Sequence, residues 1–152
     1  MASGVVVATT LVAMLAAEVL WVANRRLPAL AHVDASGSVD CPTGSDAGRP
    51  LRVVALGDST LTGPGLASGD HVWIRAALTA LGHPVDVVSL AVGGSRAADV
   101  ERRVAQAVDL RPDLVVIAVG ANDVMHGTPA SVFRATLDRI VGGLTMSVPT
   151  VA

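Results

Sequence analysis

Leu51-Arg52-Val53-Val54-Ala55-Leu56-Gly57-Asp58-Ser59-Thr60 is an apolar run that follows Pro50 and ends in a small polar turn. A short apolar run bounded by turn residues suits a strand covered on both faces, as in the parallel sheets of α/β domains. The pattern returns twice. Val85 to Val92 leads into Gly93-Gly94, and Leu114 to Val119 leads into Gly120-Ala121-Asn122-Asp123. Ligands of open parallel sheets bind beyond the carboxyl ends of the strands, so three polar segments at three strand ends mark a candidate site.

Helical patterns fill the gaps. Asp70 is placed to cap a helix over 71–81, with Val72, Ile74, Leu78 and Leu81 as its apolar positions and Gly82 and Pro84 as its stop. Residues 97–110 repeat Val100, Val104 and Val108 every four positions, with Glu101, Arg102 and Arg103 on the wet side, up to the break at Arg111-Pro112-Asp113. A third helix is expected over 131–141, ended by Gly142-Gly143, and Val148 to Ala152 reads as the start of a fourth strand. Alternating strands and helices predict a parallel sheet with helices on both faces.

The first fifty residues are of different material. Gly4 to Ala23 is apolar with one charge, Glu18. At roughly 1.5 Å per residue it would span about 30 Å, one hydrocarbon core. Residues 1–24 are therefore expected to be a transmembrane or signal-anchor helix, residues 25–50 a flexible linker rich in turn formers, and residues 51–152 the soluble domain. Arg25 and Arg26 follow the apolar run and no basic residue precedes it, which places the domain on the cytoplasmic side of a single-pass membrane protein. The alternative is secretion after cleavage at Ala29-Leu30-Ala31, which resembles a signal-peptidase site.

Composition removes several classes of function. The net charge is −2, so no basic surface argues for nucleic acid. All 11 basic residues are arginine, and without lysine the phosphate-binding Gly-x-x-x-x-Gly-Lys-Ser/Thr loop cannot be present. Cys41 is the only cysteine, which excludes an internal disulfide and a cysteine-based zinc site. No carboxylate–histidine spacing suggests a metal site, and no cofactor is expected.

Each polar segment alone would suit ordinary turn chemistry. Together and in this order, Gly57-Asp58-Ser59-Thr60, Gly93-Gly94 and Gly120-Ala121-Asn122-Asp123 resemble the first three blocks of the SGNH, or GDSL, hydrolases, a family of esterases and lipases. The family's second block usually opens on Asn, where this chain has Ser89. The resemblance covers Leu51 to Ala152. It implies Ser59 as the nucleophile, and an oxyanion hole made by the Ser59 N–H, the Gly94 N–H and the Asn122 side-chain amide. It also implies a small-molecule ester as substrate and no cofactor. Asp123 is expected to brace its loop, and His71, His83 and His126 are not expected to act as the base. The family's base comes from an Asp-x-x-His block further downstream, which does not occur in these 152 residues. The implied fold is a flavodoxin-like three-layer α/β/α sandwich with a parallel sheet of order 2-1-3-4-5, C-terminally incomplete. The first helix would lie alone on one face and the next two on the other, leaving strands three and four bare beside the first. The alternative to an active hydrolase is a truncated, catalytically inactive, membrane-tethered fragment of one.

Overall fold

The structure, a computed structural model, describes residues 30–40 and 48–146, together with Met14, Leu15 and Ala17. Gly4 to Ala23, the candidate membrane segment, lies outside the described residues but for those last three. Cys41 and the expected strand Val148 to Ala152 lie outside them as well. Among the described residues no helix is long and apolar enough to cross a membrane.

The central strand is β2 (Leu51–Gly57). Its side chains alternate between two separate cores, as strand geometry requires. Val53 and Ala55 enter one core with Val85, Val87, Ile74 and Leu78. Val54 and Leu56 enter the other with Ala97, Val100, Ala107, Ile140 and Leu144. Both faces are thus sealed, which is why this stretch reads as a continuous apolar run. Strands β3 (Val85–Ser89) and β4 (Leu114–Ala118) pair with β2 in parallel, one on each side. At the amino end of β2, the guanidinium of Arg49 grips the Asp113 carboxylate through two bonds of 2.5 and 2.8 Å. The Arg52 N–H donates to the same carboxylate at 2.8 Å. These bonds hold the Asp113 carboxyl well below the usual carboxylate range.

The sheet is mixed rather than wholly parallel. Its order places β1 (Gly37–Val39) outside β3, then β2, then β4, and β1 runs antiparallel to β3. The three parallel strands keep the expected 2-1-3 order. The added edge comes from the stretch expected to be linker. Its composition favours turns, yet Ala35 is fully buried in the first core and Val39 nearly so. Burial of these two apolar side chains overrides the turn-rich context around them.

Helices cover both faces, giving three layers. On the face of the first core lies α2 (Trp73–Thr79). It follows the short helix α1 (Ser59–Thr62) and a 3-10 turn at Gly69–His71. It starts later than expected because Val72 is extended and fully buried before the helix begins. Asp70 therefore does not cap it; its carboxylate meets Arg75 Nε at 3.0 Å. The opposite face carries α3 (Ala97–Glu101), α4 (Val104–Asp109) and α6 (Ala130–Thr145), while α5 (Ala121–Met125) follows β4 at its carboxyl end. The single helix expected over 97–110 is broken at Arg102 and Arg103, where the Arg103 N–H bonds three residues back to Val100 O at 2.9 Å. The expected stop at Gly142-Gly143 does not occur. A Cβ on Gly143 would come within 2.9 Å of Val104 Cγ1, so this glycine lets α6 approach α4 closely instead of ending the helix.

Candidate active site

Gly57 closes β2 where it must be glycine: a Cβ there would run into the carbonyl oxygen of Ala118 on β4. The chain then turns sharply. The Asp58 N–H donates to that Ala118 oxygen at 3.2 Å. The Asp58 side chain, only 1 % exposed, caps α1 by accepting the Thr60 N–H at 2.9 Å. Ser59 is thereby the first residue of a helical turn at the carboxyl end of the central strand. Gly63, in the left-handed region at φ 45°, closes the turn by donating to Ser59 O at 3.1 Å. The Trp73 indole N–H braces it from outside through Thr60 O at 2.9 Å. Among the described residues the Ser59 N–H and hydroxyl have no partner.

The second segment is drawn over the first by the Val92 N–H, which donates to Gly57 O at 3.1 Å. Gly94 has φ 79° and faces open space on its side-chain side. Its N–H also has no partner among the described residues. That conformation is strained for any residue with a Cβ, which explains glycine here.

The third segment joins the other two. Asn122, on α5, is 7 % exposed. Its Nδ2 donates to Ser95 O, next to Gly94, at 3.0 Å, and to the Asp58 carboxylate, next to Ser59, at 3.4 Å. One primary amide therefore spans the two loops that carry the other site residues. The Asp123 carboxylate accepts the Ala97 N–H at 2.9 Å and so ties the third segment to the start of α3. The structure thus brings Asn122 against the neighbours of both Ser59 and Gly94.

His71, His83 and His126 each bond to a partner other than Ser59. His126 Nδ1–H donates to Asn122 O at 2.7 Å, so its ring is folded back on its own helix end. His71 meets Ser68 Oγ at 3.2 Å, and His83 donates to Arg49 O at 3.2 Å at the far end of β2. Two residues near the site were not singled out from the sequence. Asp58 was hidden inside the motif as a turn former, although an acidic residue before a helix start is a cap signal. His32 lay in the linker reading; it meets Thr62 Oγ1 at 2.5 Å and its ring covers Gly93. Among the described residues no group of three or more His, Cys, Asp or Glu could hold a metal ion.

Three strand-end loops joined by one buried amide, with the half-buried Ser59 at the carboxyl end of the central strand, define an α/β protein with its candidate site at the carboxyl rim of the sheet. The profile of the GDSL-like Lipase/Acylhydrolase family matches residues 55–151, and the chain belongs to that family. Among solved structures it is similar to AlinE4, an SGNH-hydrolase family esterase, at 26% identity and a TM-score of 0.57, over 65% of this chain and 55% of that one. The fold is also that of TesA (22% identity, TM-score 0.56, 63% of this chain and 55% of that one). It is shared by the psychrotrophic esterase EstA from Pseudoalteromonas sp. (21% identity, TM-score 0.56, 64% and 55%). The chain spans a little over half the length of the solved structures it matches. No curated protein matches it.

Proposed function

We propose that this chain carries the nucleophile and oxyanion hole of a serine ester hydrolase. The observation that supports it best is the Asn122 amide bridging Ser95 and Asp58. In this reading Ser59 Oγ attacks the carbonyl carbon of a small ester. The new oxyanion accepts from the Ser59 N–H, the Gly94 N–H and one Asn122 Nδ2–H. An amide nitrogen has two hydrogens. The one on Ser95 O fixes the side chain; the one on the long 3.4 Å bond to Asp58 is the one to turn to substrate. Collapse of the tetrahedral adduct expels the alcohol, and water then releases the acid from the acyl-serine. A base must take the Ser59 proton and pass it to the leaving alcohol in the first step, then take a proton from water and return it to Ser59 Oγ in the second. The reading assigns that base to the part of the relatives that this chain does not span, since family membership implies an Asp-x-x-His there.

The nucleophile is tested by supplying a base from solution. Purified protein is assayed with p-nitrophenyl acetate over a range of imidazole concentrations, beside Ser59→Ala. Turnover without imidazole should be slow, because loss of the base alone costs about a million-fold in a well-studied serine protease. Imidazole should raise it in the wild type above the rate of Ser59→Ala under the same conditions. Equal rates for the two proteins at every imidazole concentration would remove Ser59 from the chemistry.

A further inference from the structure

Residues 30–40 form an arm that is locked onto the rim of the candidate site. The Val33 N–H donates to Thr62 O at 2.8 Å, and the Gly65 N–H donates to Ala31 O at 3.0 Å. Ser36 Oγ accepts the Ser89 N–H at 2.9 Å. The Arg75 guanidinium binds the carbonyls of Ala35, Gly37 and Ser38 at 3.2, 3.2 and 2.7 Å. Two glycines of the domain make room for it: a Cβ on Gly69 would strike Asp34 O, and a Cβ on Gly93 would strike the His32 ring. These are the marks of a seated element, not of a tether.

Between arm and rim lies a pocket of about 440 Å³, lined by His32, Asp34, Thr62, Ser89, Val92 and Gly93 among others. Its size falls within the range of small-molecule sites, about 300–1,000 Å³. It lies beside the proposed chemistry. Thr62 is one helical turn beyond Ser59, and side chains three apart on a helix are neighbours. Gly93 precedes Gly94.

The polar groups of the pocket are only partly used. His32 Nδ1 is engaged by Thr62 Oγ1. Asp34 Oδ1 accepts both the N–H and the hydroxyl of Ser36, at 2.9 and 2.7 Å. His32 Nε2, Asp34 Oδ2 and Ser89 Oγ have no partner among the described residues. His32 and Asp34 are exposed and Ser89 is half-buried, so these groups meet solvent, and an aliphatic chain laid over them would displace that water and return no hydrogen bond. A hydroxylated group would satisfy them, with Asp34 accepting and Val92 facing its carbons.

We propose that the arm makes this pocket the binding place for a hydroxyl-bearing part of the substrate ester, with His32 and Asp34 as specificity-determining residues. The proposal rests on the reading of Ser59 as nucleophile for its place in the reaction, but its test does not require turnover. The full chain carrying Ser59→Ala, labelled with nitrogen-15, is titrated with glycerol monoacetate and, separately, with n-butyl acetate. The amides of Val33, Ser89 and Gly93 should shift saturably with the glycerol ester and bind it about tenfold more tightly than the butyl ester, the range set by one or two net hydrogen bonds. Asp34→Asn and His32→Ala should each weaken the glycerol ester about fivefold by the same reckoning. Unchanged amides of Gly37 to Val39 in each variant report that the arm stays seated. Should His32→Ala unseat it, the comparison rests on Asp34→Asn, which keeps the shape of the side chain. Equal or stronger shifts with n-butyl acetate, no saturable shift at these amides, or indifference to Asp34→Asn would each overturn the proposal. The imidazole experiment with unaltered Ser59 reports separately on the nucleophile.

Discussion

At the scale of single residues, Asn122 is the joint on which the site turns. Its amide satisfies Ser95 O and a carboxylate that is itself a helix cap, so truncating it frees three loops at once. Asn122→Ala should lower the Ser59-dependent, imidazole-supported rate by about 100–1,000-fold, the loss typical of one oxyanion donor. It should also destabilise the fold by about 1–3 kcal/mol, because Asp58 is left buried and short of a partner. The two effects are read separately, one from turnover and one from urea unfolding; an unaltered rate in a folded variant would count against the amide as a donor. The segments that hold Ser59, Gly94 and Asn122 are legible because each stands just past an apolar strand, where polar or flexible residues are conspicuous; the choice of these three within them rests on the resemblance to the SGNH hydrolases. Asp58 could not be read in full, since one of its two partners lies 64 residues away. His32 was masked by neighbours that favour turns, and only the fold shows what its ring covers.

At the scale of elements, the register of β2 against β4 is held at its amino end by Asp113, which takes bonds from Arg49 and from the Arg52 backbone. The folded carboxyl titrates far below the unfolded value of about 3.9. The contribution of these bonds is therefore complete above pH about 4 and is lost progressively as the pH falls below that value towards the folded one. Asp113→Asn should lower the melting temperature at neutral pH and flatten its decline between pH about 4 and 2. A variant whose melting temperature falls in parallel with the wild type across that range would show that the pair carries no such linkage. The strands themselves were legible because burial on both faces leaves a plain apolar run. The ends of the helices were less so. Val72 delays α2 by going to the core as an extended residue, and Gly143 carries α6 onward by fitting against Val104. Both outcomes depend on tertiary packing, which overrides local stop and start signals. The antiparallel strand Gly37–Val39 is three residues long, too short for a periodic pattern to stand out.

At the scale of the molecule, the sheet is least covered along β4. Leu114 is 42 % exposed, and Val115, Val116, Ile117 and Ala118 are only half-buried, so β4 is incompletely covered on both of its faces. Among the described residues β4 pairs on one side only, with β2. An uncovered apolar strand with a free edge is a template for association. The purified chain should bind an apolar dye and migrate as more than a monomer, and Leu114→Lys should reduce both. A monomer that melts cooperatively and leaves the dye dark would refute this. The arm has a different consequence. It passes the loop at Gly65, where the Gly65 N–H bonds Ala31 O, then runs along the pocket through His32 and Asp34 before pairing with β3 at Gly37–Val39. A cut through the arm would therefore open the pocket wall and strip the sheet edge together.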